Sequence, residues 1–346
     1  MKAAIFACAM ILAGSGVAAA QSVITKQYDD GGVYEGTFRN GKQHGRGTYR
    51  LPSGYEYTGD WVEGEILGQG VAKFPNGSVY EGAFAKGKPN GKGKITYADG
   101  GTYEGDWLDG QITGQGEAHY ANGSLYKGGF VNALHDGKGV LTQPNGYRYE
   151  GDWKAGVKEG FGKITYPDGA TYDGDWLAGV IEGQGVAKYA NGLVYEGGFK
   201  RGRNEGQGRM TYPDGYVYNG AWRDGQRHGQ GQATYADGTT YDGSFVDGLR
   251  QGKGRLIAPD GFRYEGLWKQ GEIDGEGVAT YANGDVYTGH FVMGKRQGAG
   301  VMRYATGEVA SGEWEDNRLA VPTEGAVQGE TPEGAVPEEP EGTVEQ

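Results

Sequence analysis

Residues 103–125 read YEGDWLDGQITGQGEAHYANGSL, and residues 172–194 read YDGDWLAGVIEGQGVAKYANGLV. The opening five residues alternate in character. Tyr103, Gly105 and Trp107 fall on one face of an extended strand, Glu104 and Asp106 on the other. Gly110 and Gly114 predict a loop after this strand. A second strand is expected from about Gly116 to Tyr120, with Ala118 and Tyr120 on one face. Asn122-Gly123 then predicts a tight turn into whatever follows. The stretch reads as a β-hairpin.

Working outward, the same hairpin fills the chain. Tyrosine opens a unit every 23 residues, at Tyr34, Tyr57, Tyr80, Tyr103, Tyr126, Tyr149, Tyr172, Tyr195, Tyr218, Tyr241, Tyr264 and Tyr287, with no insertion or deletion. A truncated thirteenth unit begins at Ala310 and keeps Gly312 and Trp314. Five glycines recur per unit, as in Gly105, Gly110, Gly114, Gly116 and Gly123, and the sole lapse is Ala133. A single hairpin is marginal in water, whereas stacked hairpins bury a continuous face. The sequence therefore predicts an all-β chain: an elongated, solenoid-like, single meandering antiparallel sheet.

The pattern Y-x-G-x-[WF]-x-x-G-x-x-x-G-x-G, closed by Asp-Gly or Asn-Gly, resembles the MORN repeat across residues 34–319. The resemblance implies a non-catalytic scaffold that binds a protein partner or itself. It also implies membrane phospholipid as an alternative partner. No other domain is expected beside the repeats within these residues, so the repeats are expected to carry the function.

The flanks differ from the array. Lys2, an apolar run from Ala3 to Ala13, and Ala18-Ala19-Ala20 before Gln21 predict a secretory signal peptide over residues 1–20. Export to a bacterial periplasm or the medium is the expectation, and Cys8, the only cysteine, leaves with the peptide. Residues 21–33 form a lead-in. Residues 320–346 carry seven glutamates, four prolines and no lysine or arginine, which predicts an acidic disordered tail.

A finer period runs through the units, numbered from the opening tyrosine as position 1. Position 5 alternates as Phe38, Trp61, Phe84, Trp107, Phe130, Trp153, then restarts as Trp176, Phe199, Trp222, Phe245, Trp268, Phe291. Within a unit, Trp goes with Ala at position 16 and Phe with a larger residue, in eleven of twelve units. Compensating volumes predict that the two side chains share one site across the hairpin. Trp153 with Ile164 is the exception; the front of that unit matches the Trp type and its back, KITYPDG, the Phe type. Loops alternate as well. Basic residues fill Phe-type loops, among them Lys86, Lys88, Lys200, Arg201 and Arg203. Ile66, Ile112, Ile181 and Ile273 stand at position 10 of Trp-type loops. These nine residues are the candidate partner-binding set: an apolar row along one edge, with basic loops fixing register. Alternatively, the basic loops meet phospholipid headgroups, or the Tyr/Trp face stacks on a glycan, or each isoleucine folds back onto its own hairpin.

Composition disfavours other chemistries. The five histidines are scattered without metal-ligand spacing, so no metal is expected. Gly-Gln-Gly and Gly-Lys-Gly recur in turns rather than in a phosphate loop, so no cofactor is expected. No local exception to the repeat marks a catalytic centre. A net charge of −12 argues against nucleic acid as a partner.

Overall fold

The computed structural model describes residues 22–323, which form 27 strands and no helix. The signal-peptide expectation lies outside the described residues, as does 324–346. Two compact units divide the chain, one ending at Leu134 and the other beginning at His135. Each is a meander of antiparallel hairpins in which a strand pairs with the next along the chain. The lead-in contributes the strand Ile24–Gln27, paired with Val33–Arg39. A last strand, Arg318–Pro322, runs three residues into the segment read as tail.

The turns differ from the expectation. In residues 103–125 the strands are Thr102–Leu108 and Gln111–His119, so residues 111–114 are strand rather than loop. The hairpin tip is only Asp109-Gly110, both left-handed with φ of 49° and 85°. That is the type I′ geometry favoured between twisted antiparallel strands. Asn122-Gly123 makes a wider turn, in which Tyr120 accepts from the Gly123 N–H and donates to Ser124, both at 2.8 Å. The longer second strand is accommodated by a bulge. Gly105 pairs with Gly116 but Trp107 with Ile112, which leaves Gly114 and Gln115 as extra residues. Gly114 takes φ of 62°, and the Asp106 carboxylate accepts from the Gln115 N–H at 2.8 Å. Asp106 therefore holds the bulge, beyond serving as a polar-face residue.

Positions 3 and 14 are glycine for a different reason. The Tyr103 ring lies over Gly105 and Gly116, and its hydroxyl donates to the Asp106 carbonyl at 3.1 Å. A Cβ on Gly116 would stand 2.4 Å from Tyr103 Cε2. Removing two Cβ atoms makes room for one buried ring, and the opening tyrosines from Tyr34 to Tyr287 are at most 1% exposed.

Position 5 does not pack as the volumes implied. Its cross-strand partner is position 10, and position 16 partners position 1. The ring reaches instead over the preceding repeat. Trp107 meets Tyr80 edge-on at 5.0 Å, and its indole N–H donates to the Gly93 carbonyl at 3.1 Å. All seven tryptophans make this bond to position 14 of the repeat before, at 3.0–3.3 Å. The next inward residue along that strand is position 16 of the preceding repeat. Across that boundary the rule has no exception. Tyr49, Ile95, Leu141, Ile164, Met210, Leu256 and Met302 precede a tryptophan, and Ala72, Ala118, Ala187, Ala233 and Ala279 precede a phenylalanine. Large accompanies large and small accompanies small. The inner face therefore alternates between filled steps and troughs, and Ile164 is in place because Trp176 follows it.

Candidate functional site

Position 10 lies on the inner face, in a strand. Ile66, Ile112, Ile181 and Ile273 pair with Trp61, Trp107, Trp176 and Trp268. Ile112 and Ile273 are buried, and Ile66 and Ile181 half-buried. Placing them in exposed loops was incorrect, because the tip has only two residues and the strand begins at position 9. Their row is largely hairpin packing. The same address in other repeats holds cations that lie on rings of the following repeat. Lys158 Nζ is 4.6 Å from the Trp176 ring, Arg250 4.1 Å from Trp268 and Arg296 4.8 Å from Trp314. Burial lowers the pKa of Lys158 below the ordinary lysine value. His135 occupies this position too, 4.9 Å from Trp153, and burial pulls its pKa down to about 4.

The basic candidates stand at the tips, on the outer side. Lys86 and Arg201 are left-handed tip residues, Lys88 begins a strand, and all five are exposed. Arg203 approaches Asp224 at 3.9 Å. Around Lys200 and Arg203 the tip pairs change character in order. Leu177 pairs with Val180, Lys200 with Arg203, Arg223 with Gln226, and Val246 with Leu249. The four apolar members are 41–56% exposed. Each tip is tied to the one before, as in Gly202 N–H to Ile181 and Gly225 N–H to Asn204, both at 2.9 Å. Position 11 adds a clasp: the Glu182 carboxylate accepts from the Arg201 N–H at 2.9 Å. Glu159 does the same for the tip N–H of Ala178 at 2.8 Å, so acidic residues at position 11 hold the neighbouring tip.

One trough of the inner face is open. A cleft of about 530 Å³ lies between Tyr166 and Tyr189, with Tyr172, Ile181, Ala187 and Phe199 as its floor. Two other troughs are occupied by rings at the inter-repeat turns, Tyr55 with Phe74 at 5.9 Å and Phe262 with Tyr281 at 5.7 Å. Here position 22 is Ala170, too small to enter. The sequence reading missed this cleft because its signal is a coincidence of small residues: Ala170, Ala187 and a short Ile181. The glycan alternative is affected as well. The rings of the repeat face lie buried against one another, and the accessible aromatics are turn tyrosines such as Tyr189, 41% exposed, and the strand residue Phe161, 57% exposed. Among the described residues no three His, Asp or Glu side chains gather as metal ligands.

Alsin of Rattus norvegicus is 45% identical over 53 residues, 14% of this chain and 3% of that protein. Alsin of Homo sapiens is 42% identical over 53 residues, again 3% of its length. Among solved structures, the SAS-4 TCP domain of Drosophila melanogaster, in complex with a proline-rich motif of Ana2, covers 57% of this chain and 85% of its own at 15% identity, with a TM-score of 0.22. The wild-type TCP10 domain of Danio rerio CPAP covers 70% and 99% at 13% identity, with a TM-score of 0.21. Scores this low transfer neither ligand nor activity. The MORN repeat model matches twelve consecutive segments from 34–54 to 287–309, each opening on the tyrosine whose ring covers the paired glycines. The chain belongs to the MORN-repeat family.

Proposed function

We propose that this chain is an exported, non-catalytic scaffold that captures a protein partner or a second copy of itself through the outer side of its hairpin tips. MORN repeats are in general scaffold repeats that bind proteins or membranes. The observation carrying the finer reading is the ordered tip row: exposed Leu177/Val180, then Lys200/Arg203, then Arg223, then exposed Val246/Leu249. Apolar pairs flanking a basic centre, on strands fixed by type I′ turns, suit a binding surface better than a mixed solvated rim does. Export rests on the apolar N-terminal stretch ending Ala18-Ala19-Ala20. Changing Leu177, Val180, Val246 and Leu249 to Ser should leave the thermal midpoint in place and abolish self-association in sedimentation or recovery of partners from the envelope fraction. Unchanged association would overturn the reading.

Phospholipid headgroups are the second reading, favoured by the exposure of Lys86, Lys88, Lys200, Arg201 and Arg203. Vesicles rich in anionic lipid test it. Binding that salt weakens and that Lys200, Arg201 and Arg203 to Ser removes would support lipid as the partner.

A further inference from the structure

The open trough has a filled counterpart two repeats along the chain. Around Arg227 the framework is the same: Tyr218 at position 1, Ala233 at position 16, Phe245 at position 5 of the next repeat, and Tyr212 and Tyr235 at the turns. Arg227 fills that space. Its guanidinium carbon lies 5.7 Å from the Tyr216 ring, 5.9 Å from Tyr218 and 5.5 Å from Phe245. One terminal nitrogen donates to the Gly248 carbonyl at 2.6 Å and the other to the Tyr216 hydroxyl. Position 8 of the following repeat is the habitual acceptor. Arg250 donates to the Gly271 carbonyl at 2.7 Å.

In the open trough the corresponding parts are Tyr172, Ala187, Phe199, Tyr166, Tyr189 and, at position 8, Gly202, all of which border the cleft. What is missing is the cation and, at position 22 of the preceding repeat, a tyrosine: Ala170 stands where Tyr216 stands beside Arg227. Position 10 is Ile181, an uncharged side chain that borders the cleft. The Asp168 carboxylate lies on the rim; Oδ1 accepts from the Ala170 N–H at 2.9 Å. Lys188 also borders the rim and is exposed to solvent. The protein as a whole carries a net charge of −12, which favours a basic visitor.

We propose that the cleft bounded by Tyr166, Tyr189, Tyr172 and Phe199 receives an arginine side chain of a partner polypeptide. The guanidinium sits between the accessible Tyr166 and Tyr189 rings and donates to the Gly202 carbonyl, as Arg227 does at Gly248. The chain's own side chains define the occupant: three of the four cations at position 10 are arginines, and each spans from a ring to a position-8 carbonyl. Arginine suits the cleft better than lysine because its planar fork stacks on a ring and donates sideways at once. The inference rests on the reading of this chain as a partner-binding array. It uses the inner face, however, so tip variants that lose association leave it standing.

The test uses the full chain and three capped tripeptides, Gly-Arg-Gly, Gly-Lys-Gly and Gly-citrulline-Gly, followed by the NMR ring signals of Tyr166 and Tyr189. The arginine peptide should shift both signals saturably and bind about tenfold more tightly than the citrulline peptide, which keeps the shape but not the charge. Ile181→Arg should fill the cleft from within, abolish the peptide-induced shifts, and leave the thermal midpoint unchanged or higher. Equal binding of arginine and citrulline peptides, or undiminished binding by folded Ile181→Arg, would overturn the proposal. Should Ile181→Arg fail to fold, the comparison of peptides on the unaltered chain decides alone.

Discussion

Gly116→Ala puts the central packing device under a direct load. The added methyl would stand 2.4 Å from Tyr103 Cε2, where ordinary contact needs about 3.4 Å, so the ring must recede by about 1 Å. The ring cannot recede freely. Trp107 stands 5.6 Å away and Phe130 5.0 Å away, both edge-on, and the hydroxyl is held on the Asp106 carbonyl. Overpacking of this kind costs about 1–3 kcal/mol, and expelling an aromatic ring from its site about 3–5 kcal/mol. About 3 kcal/mol is the expected loss. Gly110→Ala supplies the control within the same hairpin. Its φ is 85°, its nearest contact is an ordinary 3.9 Å, and the equivalent residue one repeat later is already Ala133. That change costs only the left-handed backbone strain, about 1–2 kcal/mol. Thermal melts followed by near-ultraviolet circular dichroism compare the two, using midpoints because a repeat array need not unfold in one step. Tyr103→Leu should shrink the Gly116→Ala penalty, since it removes the clashing ring. Equal losses in the two glycine variants, or no relief from Tyr103→Leu, would refute the account of why position 14 is glycine.

Packing across repeat boundaries predicts that Trp107→Phe couples with Ile95→Ala but adds independently to Ala118→Gly, in a double-mutant cycle on thermal midpoints. Trp107→Phe and Trp176→Phe should lose similar amounts, since each indole follows a large residue at position 16. In acid, His135 favours its neutral form in the folded state, its pKa lowered from 6.5 to about 4 by burial. Its contribution is whole above pH 6.5 and lost as pH falls through about 4, so His135→Gln should flatten the stability profile over that window. In alkali, burial pushes the Tyr80 and Tyr103 hydroxyls up from 10 to about 12. Stability is whole below pH 10 and lost as pH rises to about 12, so tyrosinate absorbance should appear late and coincide with loss of the sheet.

The hairpin, its period and its apolar face were legible because each rests on local chemistry repeated twelve times. Turn type was less so. Asn-Gly marks a type I′ turn in general, but here the left-handed pair falls at Asp109-Gly110 and only Gly123 is left-handed in the Asn-Gly turn. The reason is the bulge: two extra residues after Gly110 move the strand start back to Gln111 and carry Ile112 from a supposed loop onto the inner face. The partner of each Trp was misassigned because alternation makes two hypotheses nearly equivalent. When types alternate, a rule within a repeat and a rule across the boundary match everywhere except at the phase change. Only Trp153, Ile164 and Trp176 separate them, and register is needed to say which is physical. The cleft depends on side chains three elements apart, so no window of sequence displays it.

Because each position-5 ring lies on the repeat before it, the tyrosine that opens a unit is the wrong place to cut. A break at the turn after position 20 separates residues 10 and 16 from the ring they were chosen to meet. A break at the tip, between positions 5 and 9, keeps them together. The mixed unit beginning at Tyr149 obeys this: Trp153 suits Leu141 before it, Lys158 and Ile164 suit Trp176 after it, and the change of type falls at the tip Ala155-Gly156. If an array of this kind is spliced, the two-residue tips are the joints that leave its packing intact. The cassette is then the back of one hairpin with the front of the next. Chimeras spliced at the tips should fold as their parents do, and chimeras spliced at the tyrosines should bring mismatched troughs and rings together.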